Sequence, residues 1–239
     1  MARLLVGLPA LLGDIQRYKK RFDMVELRPV DSSIPRTATL RGWRKNVPPG
    51  FVFSVVLPRV VGEVTEGPAL DEALEASLST AIAVEARCLV LATPATFRPT
   101  AQNRKRLLAL FARLPQEGVV IAWEPAGIWE RDDVIAVARS AGVIPVLDAA
   151  REPIPPGPIV YTRLRTLGKG AALGSAAIQR VADHLRGRRE AFVIVEGAME
   201  ATRVRTGLHE ALAKDKAKPA AAGMLVKPMS SLLAEDEEQ

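Results

Sequence analysis

Short β-branched and apolar runs alternate with longer amphipathic stretches along the whole chain, and this alternation constrains the fold more than any other feature. The runs fall at residues 3–7, 24–28, 52–57, 88–92, 119–123, 143–147, 159–164 and 191–196. Helical periodicity occupies residues 10–21, 38–45, 70–85, 101–112, 132–140, 174–186 and 200–213. Strands separated by helices pair in parallel, because parallel neighbours need a long crossover. Eight such units predict closure into a single-domain TIM-like (β/α)8 barrel over residues 1–213. The 239 residues suit that barrel, which typically needs about 250. Local signals agree. Thr100 stands where an N-cap should, and Pro68 opens a helix whose Leu70, Ala73, Leu74, Ser77, Leu78 and Ala81 share one face.

One unit departs from the pattern. Between the sixth and seventh strands, Pro153, Pro155, Pro156 and Pro158 fall so close together that no helix can form. The expected architecture is therefore a barrel lacking the sixth helix. Residues 214–239 turn lysine- and alanine-rich and then acidic, as expected of a mostly disordered tail, with an apolar stretch at 224–233 suited to docking.

Composition excludes several function classes. A single cysteine, Cys88, rules out a disulfide framework and a thiolate zinc site, and it reads as a small buried hydrophobe. The two histidines, His184 and His209, fall on separate outer helices without ligand spacing. No metal site and no cofactor are expected. Hydropathy shows neither a membrane span nor a signal-peptide layout, so a cytoplasmic protein without membrane contact is expected. The net charge of +6 is compatible with nucleic acid or phosphorylated metabolites, yet Arg36, Arg41, Arg113 and Arg139 are scattered rather than clustered. The densest basic group, Arg186, Arg188 and Arg189, sits at a helix end, where cations complement the dipole.

Particular residues carry a family likeness. The segment Phe22-Asp23-Met24-Val25-Glu26-Leu27, then Trp43, then Pro48-Pro49-Gly50-Phe51-Val52-Phe53, resembles the YecE-like family, also called domain of unknown function 72. Trp123-Glu124 with Trp129, and Val160-Tyr161-Thr162-Arg163-Leu164, are similar to later motifs of that family. The resemblance implies a TIM-like barrel and carries no established activity. Departures stand at Leu27-Arg28, at Val60-Val61-Gly62-Glu63, at Ala126, at Arg165 and at Val195-Glu196-Gly197, which describes a divergent member with an arginine-rich site.

Barrel chemistry sits at the carboxyl ends of the strands. Those ends supply Glu26 and Arg28, Arg59, Glu124, Asp148, Arg163 with Arg165, and Glu196. Because side chains alternate, Glu26 and Arg28 share one strand face, and Tyr161, Arg163 and Arg165 share another. Glu26 and Glu124 are the candidate acid/base residues. Arg28, Arg163, Arg165 and Glu196 are candidate ligand-binding residues, with Gly168, Lys169 and Gly170 as a loop able to cradle phosphate after the seventh strand. The same residues could instead form a salt-bridge lattice that only satisfies buried charge. A glycosidase pair fits poorly, because the acids follow strands two, five, six and eight. Three functional readings follow: a barrel binding or processing a phosphate-bearing small molecule, a nucleic-acid-binding or processing protein, or a catalytically degenerate barrel serving as an interaction module.

Overall fold

The computed structural model describes residues 3–28, 35–165 and 172–214. These run β1 (Arg3–Leu8), α1 (Ile15–Tyr18), β2 (Met24–Leu27), α2 (Thr37–Lys45), β3 (Val52–Val56), α3 (Arg59–Gly62), α4 (Pro68–Ala83) and β4 (Cys88–Thr93). There follow α5 (Ala101–Ala112), β5 (Val120–Pro125), α6 (Arg131–Ala141), β6 (Ile144–Pro145), β7 (Ile159–Leu164), α7 (Ser175–Leu185), β8 (Glu190–Val195) and α8 (Ala198–Lys214). The strands form one eight-stranded sheet in the order β6-β5-β4-β3-β2-β1-β8-β7. A parallel bridge between Leu147 and Thr162 joins its two ends and closes the barrel.

Alternation along each strand sorts the apolar residues into two cores. Leu5, Met24, Val52, Cys88, Val120 and Phe192 fill the barrel interior. Their strand neighbours Val6, Val25, Phe53, Leu89, Ile121 and Val193 face outward and pack under the helices. Gly7 is required where β1 meets β2, since a Cβ there would lie 2.1 Å from the carbonyl oxygen of Met24. The Thr100 cap forms as expected, its hydroxyl accepting from the Asn103 N–H at 3.1 Å.

The sixth crossover carries no helix, as the proline run predicts, and the backbone there is satisfied by other means. Arg131 Nη2 donates to the Pro153 carbonyl at 3.0 Å, and Arg188 Nη1 donates to that of Gly157 at 2.6 Å. The sixth strand is shorter than expected, two residues instead of five. After Pro145 the chain leaves β5, with the Val146 N–H donating back to Trp123, and leans onto β7. Side chains then replace the missing ladder. The Thr162 hydroxyl donates to the Leu147 carbonyl at 2.7 Å and accepts from the Ala149 N–H at 3.0 Å. Asp148 accepts from the N–H groups of Ala150 at 3.0 Å and Arg165 at 3.2 Å.

Two further elements differ from the sequence expectation. The first helix is a single turn, Ile15–Tyr18, rather than residues 10–21. Gly13 has φ +73° and Asp14 is extended, so the chain cannot spiral before Ile15. Tyr18 compensates by accepting from the Leu8 N–H and donating to the Met24 carbonyl, both at 2.9 Å. The one-turn α3 was not expected. It fits because Gly62 lacks a Cβ, which would stand 2.1 Å from the Ala92 carbonyl oxygen.

The buried Thr162 hydroxyl therefore holds the seam. Thr162→Val keeps the shape but leaves a buried N–H and a buried carbonyl without that partner. It should lower unfolding free energy in denaturant titration by about 1–3 kcal/mol. A change within error would show that the seam closes without the hydroxyl.

Candidate functional site

Near the mouth the inward positions change from apolar to charged. Glu26 on β2, Glu124 on β5, Arg163 on β7, and Arg165 and Glu196 just beyond β7 and β8 converge there. Arg163 is the centre of the group and is only 1% exposed. Its Nη1 and Nη2 donate to the two oxygens of Glu26 at 3.0 and 2.8 Å. Its Nε reaches both oxygens of Glu124 at 2.9 and 3.0 Å. The Glu26 contact, two parallel N–H···O bonds, is the bidentate and strongest form of the arginine–carboxylate pair, whereas Glu124 shares one N–H between its two oxygens.

A neutral chain continues below it. The Tyr161 hydroxyl donates to Glu26 Oε1 at 2.6 Å. A phenol has one proton, so Ser54, 3.0 Å away, donates to the Tyr161 oxygen. Burial first, and then the neighbouring Glu26 charge, push the Tyr161 pKa well above its usual range. Burial alone would lower the Arg163 pKa, but the charges of Glu26 and Glu124 outweigh it and raise it. The relay is therefore a fixed sequence of neutral hydroxyls, a carboxylate and a guanidinium.

Above Arg163 the group opens toward solvent. Arg165 Nη2 bonds Glu124, and its Nε lies 3.4 Å from Glu196. Arg28 Nη2 is 3.5 Å from Glu26. The expected convergence of Glu26, Arg28, Glu124, Arg163, Arg165 and Glu196 is thus present, at two depths. Glu26 and Arg163 lie below the surface, whereas Arg28, Arg165 and Glu196 are partly exposed. Asp148 belongs to the seam, not to this group, and its carboxylate is 3.3 Å from Arg151. Gly168, Lys169 and Gly170 lie outside the described residues, as do residues 215–239. Among the described residues, no three or more His, Cys, Asp or Glu side chains gather as they would to hold a metal ion.

Beside the charged group lies a cleft of about 320 Å³, lined by Arg28, Val56, Leu57, Pro58, Arg59, Ala92, Thr93, Pro94 and Ala126. The importance of Tyr161 and Ser54 was not apparent from spacing alone, although Tyr161 shares a strand face with Arg163. The pairing of Ser54 with Tyr161 spans 107 positions and leaves no local signal. Trp129 packs edge-on to Trp123 and donates to the Phe97 carbonyl at 2.7 Å, so it anchors packing rather than a ligand.

Two expectations follow. Arg163→Ala strands two carboxylates and should cost about 3–5 kcal/mol in denaturant unfolding, part of it recovered by adding Glu26→Gln. Additive effects of the two changes would contradict their coupling. Both tyrosines, Tyr18 and Tyr161, are buried with raised pKa values. The folded state then holds their protons more tightly, so their contribution is full below about pH 10 and is lost as pH rises beyond it. Tyrosinate absorbance should appear only together with unfolding; its appearance in the folded protein would refute this.

Comparison with known proteins places this geometry in context. A crystal structure of a DUF72 family protein from Enterococcus faecalis is 16% identical, with 89% of this chain and 96% of that chain covered and a TM-score of 0.69. L-ribulose 3-epimerase is 14% identical over 92% of this chain and 99% of its own, with a TM-score of 0.61. A family 2 AP endonuclease from Brucella melitensis is 15% identical over 82% and 93%, with a TM-score of 0.55. At these identities the likeness is one of fold. Comparison with curated proteins gives no match. Residues 7–223 match the family described as protein of unknown function DUF72, and the chain belongs to that family.

Proposed function

We propose that the barrel mouth binds a small anionic, phosphate-bearing ligand. The observation that carries this reading is the cleft beside the charged group. Its described lining contains two arginines, Arg28 and Arg59, and no carboxylate. The remaining walls are apolar or weakly polar; Arg28 is 34% exposed beside Glu26, and Arg59 is 75% exposed and paired with Glu63 at 3.1 Å, so an anion in the cleft would meet Arg28 in the more shielded setting and compete with Glu63 for Arg59. Arg165 borders the same mouth with its side chain 41% exposed.

In this reading the roles divide by depth. Arg28 and Arg59 contact the anion, and Arg165 borders it. Arg163 is a positioning residue that fixes Glu26 and Glu124. Glu26 is saturated by Tyr161, Arg163 and Arg28 and is fully buried, which suits a strut better than an acid or base. Glu124 is the carboxylate closer to solvent, at 13% exposure, and is the candidate acid/base if a reaction occurs. The nucleic-acid reading gains little from the net charge. Surface arginines are tied to local acids, as in Arg104–Asp133, Arg113–Asp71 and Arg205–Asp23, rather than aligned in a stripe.

Thermal unfolding with phosphate, phosphorylated sugars and nucleotides tests the proposal. A ligand at about ten times its Kd adds about 1.4 kcal/mol, or roughly 3–6 °C in Tm for a chain of this size. Arg59→Ala should abolish much of that rise while changing the unliganded Tm little, since its exposed pair with Glu63 contributes about 0–1 kcal/mol, whereas Arg28→Ala should lower both, because it also uncovers the buried Glu26. No rise with any of these compounds at millimolar concentration would overturn the proposal and leave the interaction-module reading.

A further inference from the structure

The missing sixth helix leaves a second cleft, at the opposite end of the barrel from the mouth. It has a volume of about 350 Å³ and is walled by the first residues of β5, β6 and β7 and by the proline run. Val119, Ile144, Ile154, Pro155 and Ile159 are among its lining, which among the described residues holds no charged side chain. Val119 also borders an apolar groove under α4 that includes Ile82, which is 76% exposed. An apolar surface of this kind usually has a cover.

We infer that the chain's own segment 224–233 covers this cleft. Three observations favour that occupant. The first is chemistry. Residues 224–233 read Met-Leu-Val-Lys-Pro-Met-Ser-Ser-Leu-Leu, and the acids Glu235, Asp236, Glu237 and Glu238 follow. The cleft is apolar, and one arginine side chain stands at its rim: Arg188 Nη1 donates to the Gly157 carbonyl in the cleft wall at 2.6 Å. An apolar stretch followed by acids thus matches an apolar cleft beside an arginine.

The second is where the described chain ends. α8 starts beyond the carboxyl end of β8, and its 17 residues span about 26 Å back along the barrel. Arg205 of α8 grips Asp23, just ahead of β2, at 2.8 Å, which fixes that direction. Lys214 is therefore left at the barrel end that holds the cleft. The third is reach. The nine residues 215–223 can span up to roughly 30 Å, enough to cross the foot of a barrel of this kind. The family match ends at residue 223, so this device belongs to the chain's own extension of the barrel.

Amide hydrogen exchange on the full chain, with sedimentation to fix its mass, tests the inference. The double variant Leu225→Asp with Leu232→Asp alters only the tail. Exchange at residues 142–160 should become about tenfold faster, as about 1.4 kcal/mol of docking free energy dictates, while the mouth and the mass stay unchanged. Unchanged exchange at the cleft would overturn it. So would a dimeric wild type whose cleft protection falls on dilution but not in the tail variant, since a second copy would then be the cover.

Discussion

The guanidinium of Arg163 is held inside a barrel whose other inward residues are mostly hydrocarbon, and the upper half of the interior is arranged around that fact. An arginine cannot escape the cost of burial by losing its proton, because its pKa is far above any working pH. Its charge must be matched in place. Glu26 and Glu124 supply that match from opposite sides, on β2 and β5, so one cation ties together three strands that are not neighbours in the sheet. Each carboxylate then has oxygens left to satisfy. Tyr161 and Arg28 complete Glu26, and Arg165 completes Glu124. The polar layer at the mouth is a consequence of one buried charge followed outward until solvent takes over.

A similar logic operates at the foot, with the signs exchanged. Glu190 is 6% exposed, and Arg3 and Arg87 reach it at 3.0 and 3.3 Å. Arg3 also donates to the Gly50 carbonyl, and Arg87 to that of Gly118, so this acid draws two loops against the barrel floor. Between the two charged layers the interior is apolar, and Cys88 within it has a thiol pKa pushed well up by burial. A thiol held protonated in this way offers little thiolate.

The sequence made the eight-unit barrel and its absent helix legible because both rest on local rules: periodicity for the elements, and proline's fixed φ and missing N–H for the gap. The same rules misjudged α1. The apolar pattern over residues 10–21 continues through Gly13, but Gly13 adopts a positive φ and the Tyr18 hydroxyl is engaged by Leu8 and Met24 on strands distant in the pattern, which periodicity does not reveal. The sixth strand was shortened for a comparable reason. Its last expected residue, Leu147, accepts from the Thr162 hydroxyl at the seam, a commitment fixed by a strand that lies later in the chain. At the site, alternation correctly placed Glu26, Arg28, Arg163 and Arg165 at one mouth. Depth was not visible, because it depends on how far each side chain reaches before meeting a partner. Arg163 and Arg165 are two residues apart on one face, yet one is 1% and the other 41% exposed.

That difference in depth bears on how a shared fold can support unrelated activities. The barrel skeleton is common to this chain, a sugar epimerase and an AP endonuclease at identities of 14–15%. A skeleton that places inward side chains at the same strand ends leaves their chemistry open. Here two of those positions are used to neutralise a buried arginine, so their carboxylates are engaged before any ligand arrives. Carboxylates committed in this way are held in place, and they in turn hold the neighbouring arginines. Arg28 is anchored through Glu26, and Arg165 through Glu124. The buried Arg163–Glu26 pair therefore helps set where Arg28 and Arg165 stand at the mouth.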